Sequence, residues 1–165
     1  MVFNRKRLLL EGIVVAIITA GLRVAAFPPW DLCWLGLFAY VPWLVWVSVR
    51  GPEVSTRVLG GVALLGAWLL WAILLAWLRH VTVVGWLVLA AILALFESLW
   101  WVVAARITSS CVNRNSFARI FNMLGLASLW VVLEYVRGHI FGGFPWLPMA
   151  AIFWQTPYML TLLPW

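Results

Sequence analysis

The side chains able to do chemistry are few and stand out against a largely apolar chain. The densest group is Glu134-Tyr135-Val136-Arg137-Gly138, followed by Phe141-Gly142-Gly143-Phe144-Pro145-Trp146. Glu134 and Arg137 are three residues apart, the spacing that puts two side chains on one helical face within reach of each other. Such a pair can be an interfacial ion pair whose Arg snorkels to water, ahead of a glycine turn and an aromatic anchor. The same residues could instead hold a phosphate or carboxylate. A guanidinium offers either anion a planar fork of donors, and Gly138 and the glycines after it let backbone approach a ligand. Spacing alone leaves both readings open. Glu97 is the second feature, a single acid inside an apolar run. A charge at the centre of a span costs about 2.5–3.5 kcal/mol on insertion scales, so Glu97 is expected to be neutral or paired within the bundle. As a working group it would be a proton site, although no second intramembrane acid or base stands out as a relay partner.

Other chemistries find less support. A Ser-His-Asp set would need a serine near His80, His139 and Asp31, yet every serine falls in mid-span or toward the opposite face. Cys33 could approach His80 or His139, but a lone Cys opening an apolar helix reads more simply as a buried side chain. Cys33 and Cys111 fall at opposite membrane faces in the topology below, which argues against a disulfide. No Cys, His and acid cluster has metal-ligand spacing, so neither metal nor cofactor is expected.

The elements that must position these residues are set by composition. Of 165 residues, 66% are apolar and 10% charged, and the mean hydropathy is +1.06. That excludes a soluble globular domain. The net charge of +6 belongs with loops facing anionic lipid and not with nucleic-acid binding. Runs close to the roughly 20 apolar residues that cross a bilayer predict an all-α, polytopic bundle of about six spans. They fall at 8–26, 32–49, 58–78, 83–105, 120–136 and 147–165, the last incomplete, in one transmembrane domain over 1–165 with no soluble domain. Pro28-Pro29 ends the first span, and Pro42 is expected to kink the second. Arg5-Lys6-Arg7 before the first span resembles a signal peptide, but Glu11 and Arg23 interrupt the run and further spans follow, so it reads as a retained anchor.

Positive charge orients the bundle. Arg5, Lys6, Arg7, Arg50, Arg57, Arg106, Arg114 and Arg119 fall on one side, and only Arg23, Arg79 and Arg137 on the other. Lys and Arg are retained in the cytoplasm, so the N-terminus is predicted to be cytoplasmic. The outer face then collects 27–31, Arg79-His80 and 137–146. Fourteen tryptophans are many for a chain of this length. Trp30, Trp34, Trp77 and Trp146 fall near the outer edge, as an aromatic belt or the lining of an acyl-chain groove would.

The stretch 130–146, with its Glu, Arg-Gly and Phe-Pro-Trp in that order, resembles the membrane region of apolipoprotein N-acyltransferase. Ala26-Phe27-Pro28-Pro29-Trp30 resembles that family's Ala-Phe-x-Pro turn, and 58–78, with Trp68 and Trp71, its Trp-rich third helix. After Pro145-Trp146, where members tend to carry a Gly-Tyr-Ser-Gln-like run, this chain has Met149-Ala150-Ala151-Ile152-Phe153-Trp154-Gln155 and matches in Gln155 alone. The resemblance implies a multi-pass protein of the bacterial inner membrane. Its members move an acyl chain from a phospholipid to the N-terminal diacylglyceryl-cysteine of a lipoprotein, through a Glu, Lys and Cys triad in a nitrilase-like domain on the outer side. The only lysine here is Lys6, so no catalytic residue is assigned within this chain. The implied role is to anchor a catalytic domain, missing or carried by a separate chain, and to present phospholipid to it. Arg137 would take the headgroup, Glu134 would position it, and Gly138, Phe144, Pro145 and Trp146 would shape the docking loop. The alternative, from the residues alone, is a small transporter or channel-like bundle working through Glu97.

Overall fold

The computed structural model describes residues 5–111, 115–140 and 143–161. Phe141 and Gly142 of the motif, 112–114 of the polar loop and 162–165 of the last expected span lie outside the described residues. Among the described residues all regular structure is helical: α1 Arg5–Ala25, α2 Cys33–Phe38, α3 Val41–Arg50, α4 Thr56–Leu74, α5 Val83–Cys111, α6 Ser116–His139 and α7 Pro157–Leu160. Five stretches are long and apolar enough to cross a membrane, namely α1, the compound Cys33–Glu53, α4, α5 and α6.

Local chemistry explains the limits. Pro42 lies in the first turn of α3 and has no N–H to continue the helix from α2, so the second span breaks at Ala39-Tyr40. The Ser55 hydroxyl caps α4 by accepting from the Val58 N–H at 3.4 Å, and Asn115 Oδ1 caps α6 by accepting from Ala118 N–H at 3.0 Å. With Asn115 as cap, α6 starts earlier than the expected residue 120, and α5 runs past 105 to Cys111. The third span is α-helical only to Leu74 and finishes as a tighter turn at Ala76–His80.

The segment expected to open a sixth span departs from that expectation. Met149–Phe153 is a 3-10 turn and α7 is 4 residues long, so no membrane-length helix forms here among the described residues. Pro148 and Pro157 each withhold an N–H, and Gln155-Thr156 adds polar groups between them. The segment folds back instead. Ile152 is buried with Ala26 and Phe27, and Trp154 Nε1 donates to Asp31 Oδ1 at 3.0 Å.

Helices α1, α4 and α5 form the centre, α3 packs on α1 and α5, and α6 leans on α5. Close approach depends on small residues. A Cβ at Gly66 would lie 2.9 Å from the Ala16 Cβ and 3.0 Å from the Trp101 ring. Indole N–H groups tie neighbouring helices where an unmet donor would be costly. Trp43 Nε1 donates to the Trp101 carbonyl at 3.0 Å, Trp86 Nε1 to the Ala72 carbonyl at 2.9 Å, and Trp100 Nε1 to the Leu126 carbonyl at 2.9 Å. The Arg5 end of the bundle carries the ion pairs of Glu11 with Arg7 (2.9 Å) and Arg50 (3.6 Å). The opposite end holds the turn after α1, Ala76–His80 and the segment after α6, with Trp30, Trp34, Trp77 and Trp146 all exposed.

Candidate functional site

Two polar features meet inside the apolar bundle. The first centres on Glu97 of α5, which is paired within the bundle. Its Oε2 accepts from Arg23 Nη1 at 2.5 Å, and its Oε1 accepts from the Tyr40 hydroxyl at 2.5 Å and from Trp101 Nε1 at 3.0 Å. Arg23 Nη1 also meets the Tyr40 hydroxyl. The break before Pro42 places Tyr40 between α2 and α3, so the network joins α1, the second span and α5. Arg23 is 1% exposed and Glu97 5%, a depth at which either charge alone would be prohibitive. The Arg23 guanidinium is further held over the rings of Trp130 (4.9 Å), Trp71 (5.7 Å) and Tyr40 (5.8 Å).

Arg23 is the member of this network that spacing does not find. The charge pattern puts it at the outer end of its span, whereas it lies buried against Glu97. A signal existed: Arg23 is a cation within an apolar run, and a lone intramembrane acid calls for such a partner.

The second feature is Arg137, in the last turn of α6 and 6% exposed. Its guanidinium lies over the Trp71 ring at 5.0 Å, and its Nη2 is 3.8 Å from Glu134 Oε1. That distance is an ion pair and too long for a hydrogen bond. Glu134 Oε1 instead accepts from the backbone N–H of Met149 at 2.8 Å. Nε and Nη1 of Arg137 have no hydrogen-bond partner. Arg137 thus does not snorkel to water. It is turned inward, charged and incompletely bonded.

The described part of the motif beyond α6, Gly143 to Trp146, folds back onto the end of that helix. Phe144 N–H donates to the Arg137 carbonyl at 3.2 Å, and the Phe144 ring stacks on Trp146, which stacks on Trp77 with centroids 5.3 Å apart. Gly143 has φ +81°, and a Cβ there would collide with the Gly138 carbonyl, so this turn requires glycine. A Cβ at Gly138 would come no closer than 4.0 Å to its neighbour, Pro145 Cβ. Of the residues singled out from sequence, Glu134, Arg137 and Glu97 line one cleft, with Arg23, Trp71 and Trp130 beside them. His80 and His139 stay exposed, and Cys33 packs partly buried beside Phe27 and Ile152. Among the described residues no three His, Cys, Asp or Glu side chains gather as a metal would require.

Across residues 19–165, which include every member of both polar features, the chain matches the family described as the apolipoprotein N-acyltransferase N-terminal domain. No curated protein and no solved structure matches it. The resemblance carried by 134–146 is borne out over most of the chain, and the protein belongs to the apolipoprotein N-acyltransferase N-terminal domain family.

Proposed function

We propose that this chain is the membrane portion of a phospholipid:apolipoprotein N-acyltransferase in a bacterial inner membrane, with its N-terminus cytoplasmic. It anchors the catalytic domain on the outer side and presents phospholipid to it. The observation that carries this reading is Arg137, a buried cation with Nε and Nη1 unbonded at the end of the bundle opposite Arg5. A guanidinium in that state suits a phosphate oxygen. Trp146, exposed and stacked on Trp77, offers a rigid aromatic surface on which a domain could dock. Glu97 has both oxygens occupied by donors, which supports a bracing role over a proton-carrying one.

The test is Arg137→Ala in a version of the protein that carries a catalytic domain. Loss of a charge-assisted hydrogen bond of about 1.5–3 kcal/mol predicts acyl transfer lowered by about 10-fold or more, with membrane insertion intact. Transfer at the wild-type rate would remove Arg137 from phospholipid handling and leave the proposal without its main support.

A further inference from the structure

The cleft beside Arg137 carries more than that arginine. Its lining residues come from α1, α4, α5 and α6, around a space of about 20 Å³, room for a water or for one oxygen of a larger ligand. Arg23 Nε, Trp71 Nε1, Trp130 Nε1, Arg137 Nε and Arg137 Nη1, all on residues that line the cleft, are buried without a hydrogen-bond partner. All of these atoms are donors and none can accept. Nearby carboxylate oxygens already accept bonds, those of Glu97 from Arg23, Tyr40 and Trp101, and Glu134 Oε1 from the Met149 N–H. Buried unpaired donors on the residues around one small cleft in an apolar bundle call for an acceptor.

We infer that this cleft is an oxyanion site built from four helices, which receives one non-bridging oxygen of a phospholipid phosphodiester. The oxygen accepts from Arg137 and from the indole N–H groups of Trp71 and Trp130, while the acyl chains stay outside the cleft. A water or an ester carbonyl would also accept hydrogen bonds. Neither carries a negative charge, and the Glu134 oxygen paired with Arg137 stands off at 3.8 Å and also accepts from the Met149 N–H. Arg23, neutralised by Glu97, contributes a donor and holds the Trp71 and Trp130 rings in place. This inference rests on the phospholipid-presenting role proposed above and adds to it the atom recognised and the residues, remote in sequence, that recognise it.

Lipid retention by the full chain in detergent, measured by native mass spectrometry, tests the inference. Phosphatidylglycerol is compared with diacylglycerol bearing the same acyl chains, and inorganic phosphate serves as competitor. Wild type is expected to retain phosphatidylglycerol about 10-fold better than diacylglycerol, as a charge-assisted bond implies. Trp130→Phe and Trp71→Phe each keep a ring but remove one N–H, and each is expected to weaken phosphatidylglycerol retention about 3- to 10-fold while leaving diacylglycerol unchanged. Trp46→Phe, which removes a buried unpaired indole N–H outside the cleft, serves as control. If a tryptophan variant fails to fold, Arg137→Gln carries the same comparison. Equal retention of the two lipids, full displacement by low millimolar phosphate, or tryptophan variants that retain phosphatidylglycerol normally would each overturn the site. Because the readout does not involve acyl transfer, lost transfer with lipid retention intact and lost retention with transfer intact are separate outcomes, the first counting against the enzymatic reading and the second against this site.

Discussion

Replacing Glu97 by leucine should be among the most damaging single changes in the bundle, and the structure lets the damage be sized. The substitution leaves Arg23 Nη1, the Tyr40 hydroxyl and Trp101 Nε1 without their shared acceptor, and strands a guanidinium that is 1% exposed. Removing one partner of a buried ion pair costs about 3–5 kcal/mol. The lower figure applies here, because an unfolded chain within a membrane or micelle also finds partners for its polar groups. A loss of about 3 kcal/mol changes the folding equilibrium by about 150-fold. Reversible unfolding in mixed detergent micelles would measure it, on wild type, Glu97→Leu, Arg23→Met and the double variant. The double variant removes both charges and should be more stable than either single one, giving a large coupling energy between the sites. A Glu97→Leu chain within about 0.5 kcal/mol of wild type, or a double variant whose loss is the sum of the two, would refute this reasoning.

Three further outcomes are expected. Gly66→Ala should destabilise the chain by about 1–3 kcal/mol, since its methyl group would press on Ala16 and Trp101, whereas Gly61→Ala, with nothing within 4 Å, should be neutral or slightly stabilising; thermal unfolding of the two separates these cases. Trp43→Phe keeps a ring in the core but loses the 3.0 Å bond to the Trp101 carbonyl, and should cost about 1–3 kcal/mol in the same assay. In a background without Cys33 and Cys111, a membrane-impermeant thiol reagent applied from outside should label Arg79→Cys in intact cells, and label Ser55→Cys only after permeabilisation. Both positions are exposed, at opposite ends of the bundle, and the reverse pattern would invert the orientation read from the positive charges.

The helices were legible in the sequence because each is specified by neighbours along the chain: apolar runs of bilayer length, the paired prolines after α1, and Pro42 in the second span. The same local logic failed after Trp146. Residues 147–161 are apolar enough to suggest a span, yet Pro148 and Pro157 interrupt them and Trp154 turns back to Asp31. The site was half legible. Glu134 and Arg137 share a helical face, and spacing alone finds such pairs. Arg23 and Glu97 are 74 residues apart, and nothing local couples them; their meeting depends on how α1 packs beside α5. The same holds for Trp71 and Trp130, which look like ordinary membrane tryptophans until the helices around them are assembled. The inward turn of Arg137 was hidden for a related reason. Snorkelling is the default for an Arg near a helix end, and only the Trp71 ring and the fold-back of Phe144 over the helix show that water is not its destination.

Helix α6 is attached unevenly. Of its residues only Leu126 and Arg137 are buried, and the Leu126 carbonyl takes the Trp100 N–H that ties it to α5. The other long helices interlock through small residues and through the Glu97 network, to which α6 contributes no hydrogen bond. Assembly should therefore be stepwise, with α1 to α5 closing first and α6 docking afterwards, and opening should run in reverse order at lower free energy than global unfolding. Amide exchange should show α6 losing protection while α4 and α5 keep theirs. On that order of events α6 would act as a hinged wall, letting the proposed lipid cleft behind it fill and empty while the rest of the bundle stays together.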